Sequence, residues 1–273
     1  MVRCSTGRYL TDSANPLTLF AFLHVNMSGA RNASLTLTFL HVNTMKILAV
    51  ISQKGGAGKT TLATALAVAA QQEGREVALF DLDPQASACF WGDRRGANNG
   101  GIEAPPVRAV NWNRLRFDLE KINGAGKATG LIVIDCPPQQ RDIAAEAIRF
   151  ADMVLIPTRP EVIDLHATAE TIRTVQQQGK AAHVVLSACP ISGPEIEETE
   201  NWITGSMSAE LVPVRIHQRK AYSRAMAAGL TAQEFEPDGK AAAEIKQLYM
   251  FTCRHLFGVQ KNGKAKQAVS RRA

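Results

Sequence analysis

From residue 45 onward, short runs of aliphatic and β-branched residues alternate with longer stretches whose apolar positions recur every three or four residues. The short runs predict strands at 46–51, 76–80, 131–134, 153–156, 183–186 and 211–214. They are apolar throughout, which is how parallel strands covered on both faces read. The longer stretches predict helices at 60–72, 141–150, 165–178, 195–204, 219–228 and 240–257. This alternation implies an α/β fold, a doubly wound and mostly parallel sheet in a single domain, with ligands taken at the carboxyl ends of its strands. Residues 98–106, rich in Gly, Asn and Pro, read as a surface loop inside that domain.

The first 44 residues break the pattern. Phe22-Leu23-His24-Val25-Asn26 recurs as Phe39-Leu40-His41-Val42-Asn43, with Leu-Thr-Leu a little upstream of each copy. Two copies fall short of the roughly three stacked repeats a solenoid needs. The expectation is that upstream DNA has been read as protein and that translation starts at Met45. A genuine, poorly ordered extension is one alternative; a targeting segment is another, disfavoured because no small-residue cleavage site is present. The organisation expected is a non-native or disordered extension at 1–44, a domain at 45–258 and a basic, disordered tail at 259–273.

Composition narrows the class. A hydrophobic content of 45% is ample for a core, and no apolar run reaches the roughly 18 residues a membrane span needs. The five cysteines (Cys4, Cys89, Cys136, Cys189, Cys253) are scattered, with no C-x-x-C pair and no His at metal spacing. Neither a zinc site nor a disulfide framework is suggested, and a reducing cytoplasm fits best. The net charge of +6 is unevenly placed: Arg254, Lys261, Lys264, Lys266, Arg271 and Arg272 supply +6 with no acid among them, and residues 1–44 supply +2, leaving 6 − 6 − 2 = −2 for 45–252. A cationic tail on a mildly acidic body suggests a polyanionic partner.

The chemistry gathers at three strand ends. Gln53-Lys54-Gly55-Gly56-Ala57-Gly58-Lys59-Thr60-Thr61 follows a predicted strand and opens a predicted helix, the context a phosphate loop requires. The common G-x-x-x-x-G-K-[ST] pattern fails at Gln53, whereas K-G-G-x-G-K-T-T fits. The glycines let backbone N–H groups approach phosphate oxygens, Lys59 supplies a cation for the β and γ phosphates, and the Thr60 hydroxyl suits Mg²⁺. Asp81-Leu82-Asp83-Pro84-Gln85-Ala86-Ser87 puts two carboxylates beside that loop. Together they can orient water and support the metal shell; Asp83 is the candidate for orienting the attacking water, while Asp81 either supports the loop or caps the strand end. The apolar strand 131–134 ends in Asp135, the arrangement in which a carboxylate holds Mg²⁺ through water. Cys136 reads as a small packed side chain.

These motifs resemble the ParA and MinD family of deviant Walker A ATPases, and the D-x-D-P-Q-x-S form points to ParA rather than MinD. The strand ending in Pro157-Thr158 and the segment Gln218-Arg219-Lys220-Ala221-Tyr222 with Gly229 extend the resemblance over 45–257. It implies ATP and Mg²⁺ as cofactors, with nucleotide bound by Lys54, Gly55, Gly56, Ala57, Gly58, Lys59, Thr60 and Thr61, and metal at Thr60, Asp81 and Asp135. It implies that Lys54 crosses an ATP-bound homodimer to the partner's nucleotide and acts in hydrolysis alongside Asp83. Where the family places an adenine-contacting Asn, this chain has Ser187-Ala188-Cys189, so ATP over GTP is implied by the family alone.

The activity implied is that of a cytoplasmic, nucleoid-associated partition ATPase. Such a protein dimerises on ATP, binds DNA without sequence preference and hydrolyses ATP under a small centromere-binding, ParB-like partner. No helix-turn-helix is expected before Met45, so operator and centromere recognition would fall to that partner. The DNA contacts expected are Arg219, Lys220 and Arg224 on the domain and Lys261, Lys264, Lys266, Arg271 and Arg272 on the tail. The alternative is a MinD-like membrane-positioning ATPase using the stripe Ile245, Leu248, Tyr249, Thr252, Leu256 and Phe257, although a stripe at that spacing more often packs on the core. Iron–sulfur reductases on this fold need a cysteine pair that is not evident, and amidotransferring synthases need a glutaminase portion for which too few residues remain.

Overall fold

The computed structural model describes residues 45–98, 105–123 and 130–258, together with the backbone of two strands nearer the start. These are β1 (Phe20–Met27) and β2 (Ala33–Leu40), antiparallel partners in a sheet of their own. No strand was predicted there, yet both segments are rich in the aromatic, β-branched and aliphatic residues that suit strands. The tail at 259–273, with Lys261, Lys264, Lys266, Arg271 and Arg272, lies outside the described residues.

The chain then runs β3 (Lys46–Val50), α1 (Lys59–Gln72), β4 (Glu76–Asp81), α2 (Ser87–Asn98), β5 (Val107–Ala109), α3 (Leu115–Asn123) and β6 (Gly130–Asp135). It continues α4 (Arg141–Phe150), β7 (Met153–Thr158), α5 (Val162–Gln177), β8 (Ala182–Leu186), α6 (Pro194–Ser206), β9 (Glu210–Leu211), α7 (Lys220–Ala227), α8 (Ala232–Phe235) and α9 (Lys240–Phe257). Strands β3 to β9 form one seven-stranded sheet in the order β5-β4-β6-β3-β7-β8-β9, and every pairing is parallel. This is the single-domain doubly wound α/β architecture the alternation implied.

Alternate residues of β3 show why the runs are apolar throughout. Leu48 and Val50 join a core with α1 and α9, whereas Ile47 and Ala49 join one with α4 and α5. The apolar stripe of α9 is consumed there: Ile245, Leu248, Tyr249 and Leu256 are buried in the first core, so the lipid-facing reading of that helix has no exposed stripe to use. Gly130, at the start of β6, has no room for a side chain, since a Cβ would stand 2.6 Å from the Glu76 carbonyl oxygen and against the Met45 side chain.

The register levels the working ends of three strands. Val50 and Asp81 both pair with Asp135, so the phosphate loop and both acidic strand ends emerge side by side.

Several elements escaped prediction. Helix α2 contains Gly92, Gly96 and three Asn, Asp or Ser residues, a composition of low helix propensity; tertiary anchors hold it. Strand β9 is shorter than the 211–214 run because Pro213 lacks the N–H a ladder needs, and the backbone rejoins β8's extension by a bridge between Cys189 and His217.

Candidate functional site

Between β3 and α1 the chain makes the turn for which the glycines were singled out. Gly56 (φ +70°) and Gly58 (φ +87°) are left-handed, a conformation that strains any residue with a Cβ. Gly58 is the N-cap of α1 and offers no side-chain cap, so the first-turn amides, which by construction lack helical acceptors, are left for an anion. Gly55 has open space around it.

The Lys59 ammonium is buried and donates to the Lys54 carbonyl at 2.9 Å, lying over the loop's own backbone. Burial pulls its pKa below the usual range, and the negative charges of Asp135 and Asp83 partly oppose this. A desolvated cation beside a turn of backbone amides is a set of donors suited to phosphate oxygens.

Thr60 Oγ1 donates to Asp135 Oδ2 at 2.6 Å. Asp135 is 1% exposed, and its other oxygen, Oδ1, is buried with no hydrogen-bond partner among the described residues. Burial pushes this carboxyl up to about 7; the Asp81 charge adds to the effect, while Thr60 and Lys59 work against it. A hydroxyl paired with a carboxylate that keeps one dry, unpaired oxygen is a donor set suited to a hard divalent cation.

The two carboxylates after β4 divide. Asp81 is spent on backbone: Oδ1 accepts from Asp83 N at 3.0 Å, and Oδ2 accepts from Ala88 N at 2.9 Å and Cys89 N at 3.0 Å. Through Ala88 and Cys89 it caps the first turn of α2. Among the described residues, the Asp83 carboxylate accepts only from Gln85 N, at 2.9 Å, in a turn that holds Ala86 at φ +51°. It stands free enough to meet a ligand.

Two further contacts to the loop come from elements far away in sequence. Ser187, just past β8, donates to the Ala57 carbonyl at 2.7 Å. Arg159, just past β7, places Nε at 3.1 Å and Nη2 at 2.5 Å from the Gly56 carbonyl. Sequence reasoning had noted Ser187 only as a departure and Arg159 not at all, because neither carries a motif; the β-strand ends they follow were the available signal. Lys54 Nζ approaches Asp164 Oδ1, in the first turn of α5, at 3.9 Å. Next to it Val162 and Ile163 are 85% and 72% exposed.

A cleft of about 630 Å³ opens beside the loop, lined by Gly58, Thr61, Ser187, Pro190, Gln218 and Tyr222 among others. Its size suits a nucleoside. Arg219, one of the expected DNA contacts, is half-buried and pairs with the buried Glu244 through Nε at 3.0 Å and Nη2 at 2.6 Å. His217 and Tyr222 share that carboxylate. Lys220 and Arg224, one turn apart on α7, remain exposed. Cys136 is buried in the core as expected, with its thiol pKa pushed up by burial.

A left-handed glycine turn leading into an uncapped helix defines the P-loop nucleotide-binding class, and the second lysine, Lys54, marks its deviant Walker A branch. Residues 48–232 match the family described as the CobQ/CobB/MinD/ParA nucleotide binding domain, and the chain belongs to that family. It is 33% identical over 214 residues to the maintenance of carboxysome distribution protein A of Gloeobacter kilaueensis, covering 77% of this chain and 94% of that protein. It is 26% identical over 217 residues to the ParA protein of Rhizobium radiobacter, covering 76% and 94%. Among solved structures, the septum site-determining protein MinD complexed with Mg-ADP from Pyrococcus horikoshii superposes with a TM-score of 0.61 at 20% identity, over 77% of this chain and 96% of that one. That likeness is one of fold.

Proposed function

We propose that this protein is a Mg²⁺-dependent ATPase that positions DNA cargo, dimerising on ATP, binding DNA without sequence preference and letting go when a small centromere-binding partner stimulates hydrolysis. The proposed ATPase unit is 45–258, flanked by an extension at 1–44 and a basic tail at 259–273. The observation that carries the reading is Lys54: a second lysine in the phosphate loop, half-buried, whose ammonium stands 3.9 Å from Asp164 at the start of α5, next in sequence to the exposed Val162 and Ile163.

In this reading the amides of residues 55–61 and the Lys59 ammonium bind the phosphates, Lys59 leaving the Lys54 carbonyl to do so. Thr60 and Asp135 hold Mg²⁺, which when bound neutralises charge on the β and γ phosphates. The unpaired Asp135 Oδ1 supports that assignment. Asp83 orients the attacking water, and Asp81 fixes Asp83 through its amide. Arg159 and Ser187 hold the loop's carbonyls outward, which leaves its amides turned toward the anion.

Apolar Val162 and Ile163 suit burial against a second copy, where Lys54 would exchange Asp164 for the partner's phosphates. Lys220 and Arg224 form the folded part of the DNA surface, and the tail lysines and arginines the rest. Arg219 belongs to that surface too, with its guanidinium oriented by Glu244.

A second reading concerns the cargo. In it, as the 33% identity to a carboxysome distribution protein suggests, the cargo is a protein body, with the same ATP-gated grip on DNA. A membrane anchor is disfavoured by the buried stripe of α9, and no described helix is long and apolar enough to cross a membrane. Cosedimentation with ATP and Mg²⁺ separates the surfaces. Binding to random-sequence DNA and not to anionic vesicles is expected; the reverse would replace this proposal with a MinD-like one.

A further inference from the structure

Away from the nucleotide cleft, three side chains from three elements converge. His183 near the start of β8, Glu210 on β9 and His255 in the last turn of α9 each bring one ligand atom within 4.8 Å of the other two.

The two imidazoles are held alike. His183 Nδ1 lies 3.1 Å from the Val154 carbonyl oxygen, and His255 Nδ1 lies 3.0 Å from that of Phe251. A carbonyl only accepts, so each Nδ1 carries the hydrogen and each Nε2 of the neutral ring presents a lone pair. Both Nε2 atoms lie near one carboxylate oxygen, Glu210 Oε2, at 3.4 Å and 3.2 Å. Two imidazole acceptors gathered beside a carboxylate suit a positive charge, a metal ion or a proton.

The spacing fits a metal ion. A tetrahedral ion with bonds of about 2.0–2.1 Å holds its ligand atoms about 3.3 Å apart and the centroids of two ligating imidazoles about 5 Å apart. Here the centroids are 5.0 Å apart with the rings inclined at 73°. The backbone bonds at Nδ1 are the outer partners that ligating histidines carry. His183 is buried, whereas the side chains of His255 and Glu210 are 29% and 49% exposed, so the ion has an entry path and water can complete its shell.

We propose that His183, Glu210 and His255 bind a divalent transition-metal ion, zinc foremost, which ties the edge strand β9 and the end of α9 to β8. The histidine spacing in the sequence hid this site because its three ligands come from separate elements.

The test uses the full chain without nucleotide or Mg²⁺: zinc titration against a chromophoric chelator, and cobalt(II) absorption to read the geometry. The expected result is one tight equivalent of zinc and a four-coordinate cobalt spectrum without a thiolate charge-transfer band. Glu210→Gln and His255→Gln, both at partly exposed positions, should each weaken zinc by more than the 10–100-fold that outer-shell partners carry. Asp135→Asn, which alters the phosphate-loop carboxylate, should leave zinc uptake unchanged. Absence of stoichiometric uptake, a thiolate band, or wild-type affinity in both ligand variants would overturn the site; the first would leave a proton as the charge between the rings and Glu210.

Discussion

At the scale of single residues, Asp135 makes the strongest demand. Its carboxyl titrates at about 7 in the fold because burial disfavours the charge. A carboxyl raised above its unfolded value contributes stability that is present in full below the usual carboxylate pKa and is lost as pH rises through the folded one. Without Mg²⁺ and nucleotide, the protein should therefore lose stability between about pH 4 and pH 7, and Asp135→Asn should remove that loss, gaining roughly 2–4 kcal/mol above about pH 7. Urea denaturation at the two ends of the range measures it; equal slopes in wild type and variant would show the carboxylate to be compensated. Asp83→Ala acts otherwise, since it leaves the phosphate contacts in place. ATP-bound dimers should form and persist on DNA while turnover falls by at least an order of magnitude. Wild-type turnover in a steady-state phosphate assay would move the water-orienting role elsewhere. The phosphate loop was legible because its residues are contiguous and their chemistry depends on one turn. Arg159 and Ser187 were not, because they reach the same turn from other strand ends and neither is unusual in its own segment.

Among the elements, α2 shows how tertiary contacts override composition. Asp81 caps its first turn. At its other end the buried Arg95 donates to Glu234 Oε2 at 2.8 Å and Oε1 at 2.6 Å, and to the Gly229 carbonyl at 3.3 Å. Glu234 also closes the capping box of α8 on Thr231, so one carboxylate serves two helices. Glu234→Ala should cost about 3–5 kcal/mol, because it strands a buried guanidinium. A loss below about 1 kcal/mol in denaturant unfolding would mean that Arg95 finds another partner. The strands and the long helices were readable from apolar runs of the right length; α2 was not, because its stability resides in partners more than a hundred residues away.

For the whole molecule, the account couples a folded ATPase to a cationic tail. If the tail contacts phosphates, about six contacts per chain lower DNA affinity on the order of 10³-fold between about 50 and 200 mM salt. Deleting residues 259–273 should then flatten the salt slope, measured by fluorescence anisotropy on random-sequence DNA. An unchanged slope would assign binding to Arg219, Lys220 and Arg224. The central claim is that ATP joins two copies through Lys54, and size-exclusion chromatography with light scattering on a slowly hydrolysed ATP analogue tests it most directly. Wild type should run as a dimer and Lys54→Ala as a monomer that still retains nucleotide. A wild-type monomer, or a normal dimer formed by Lys54→Ala, would contradict the account.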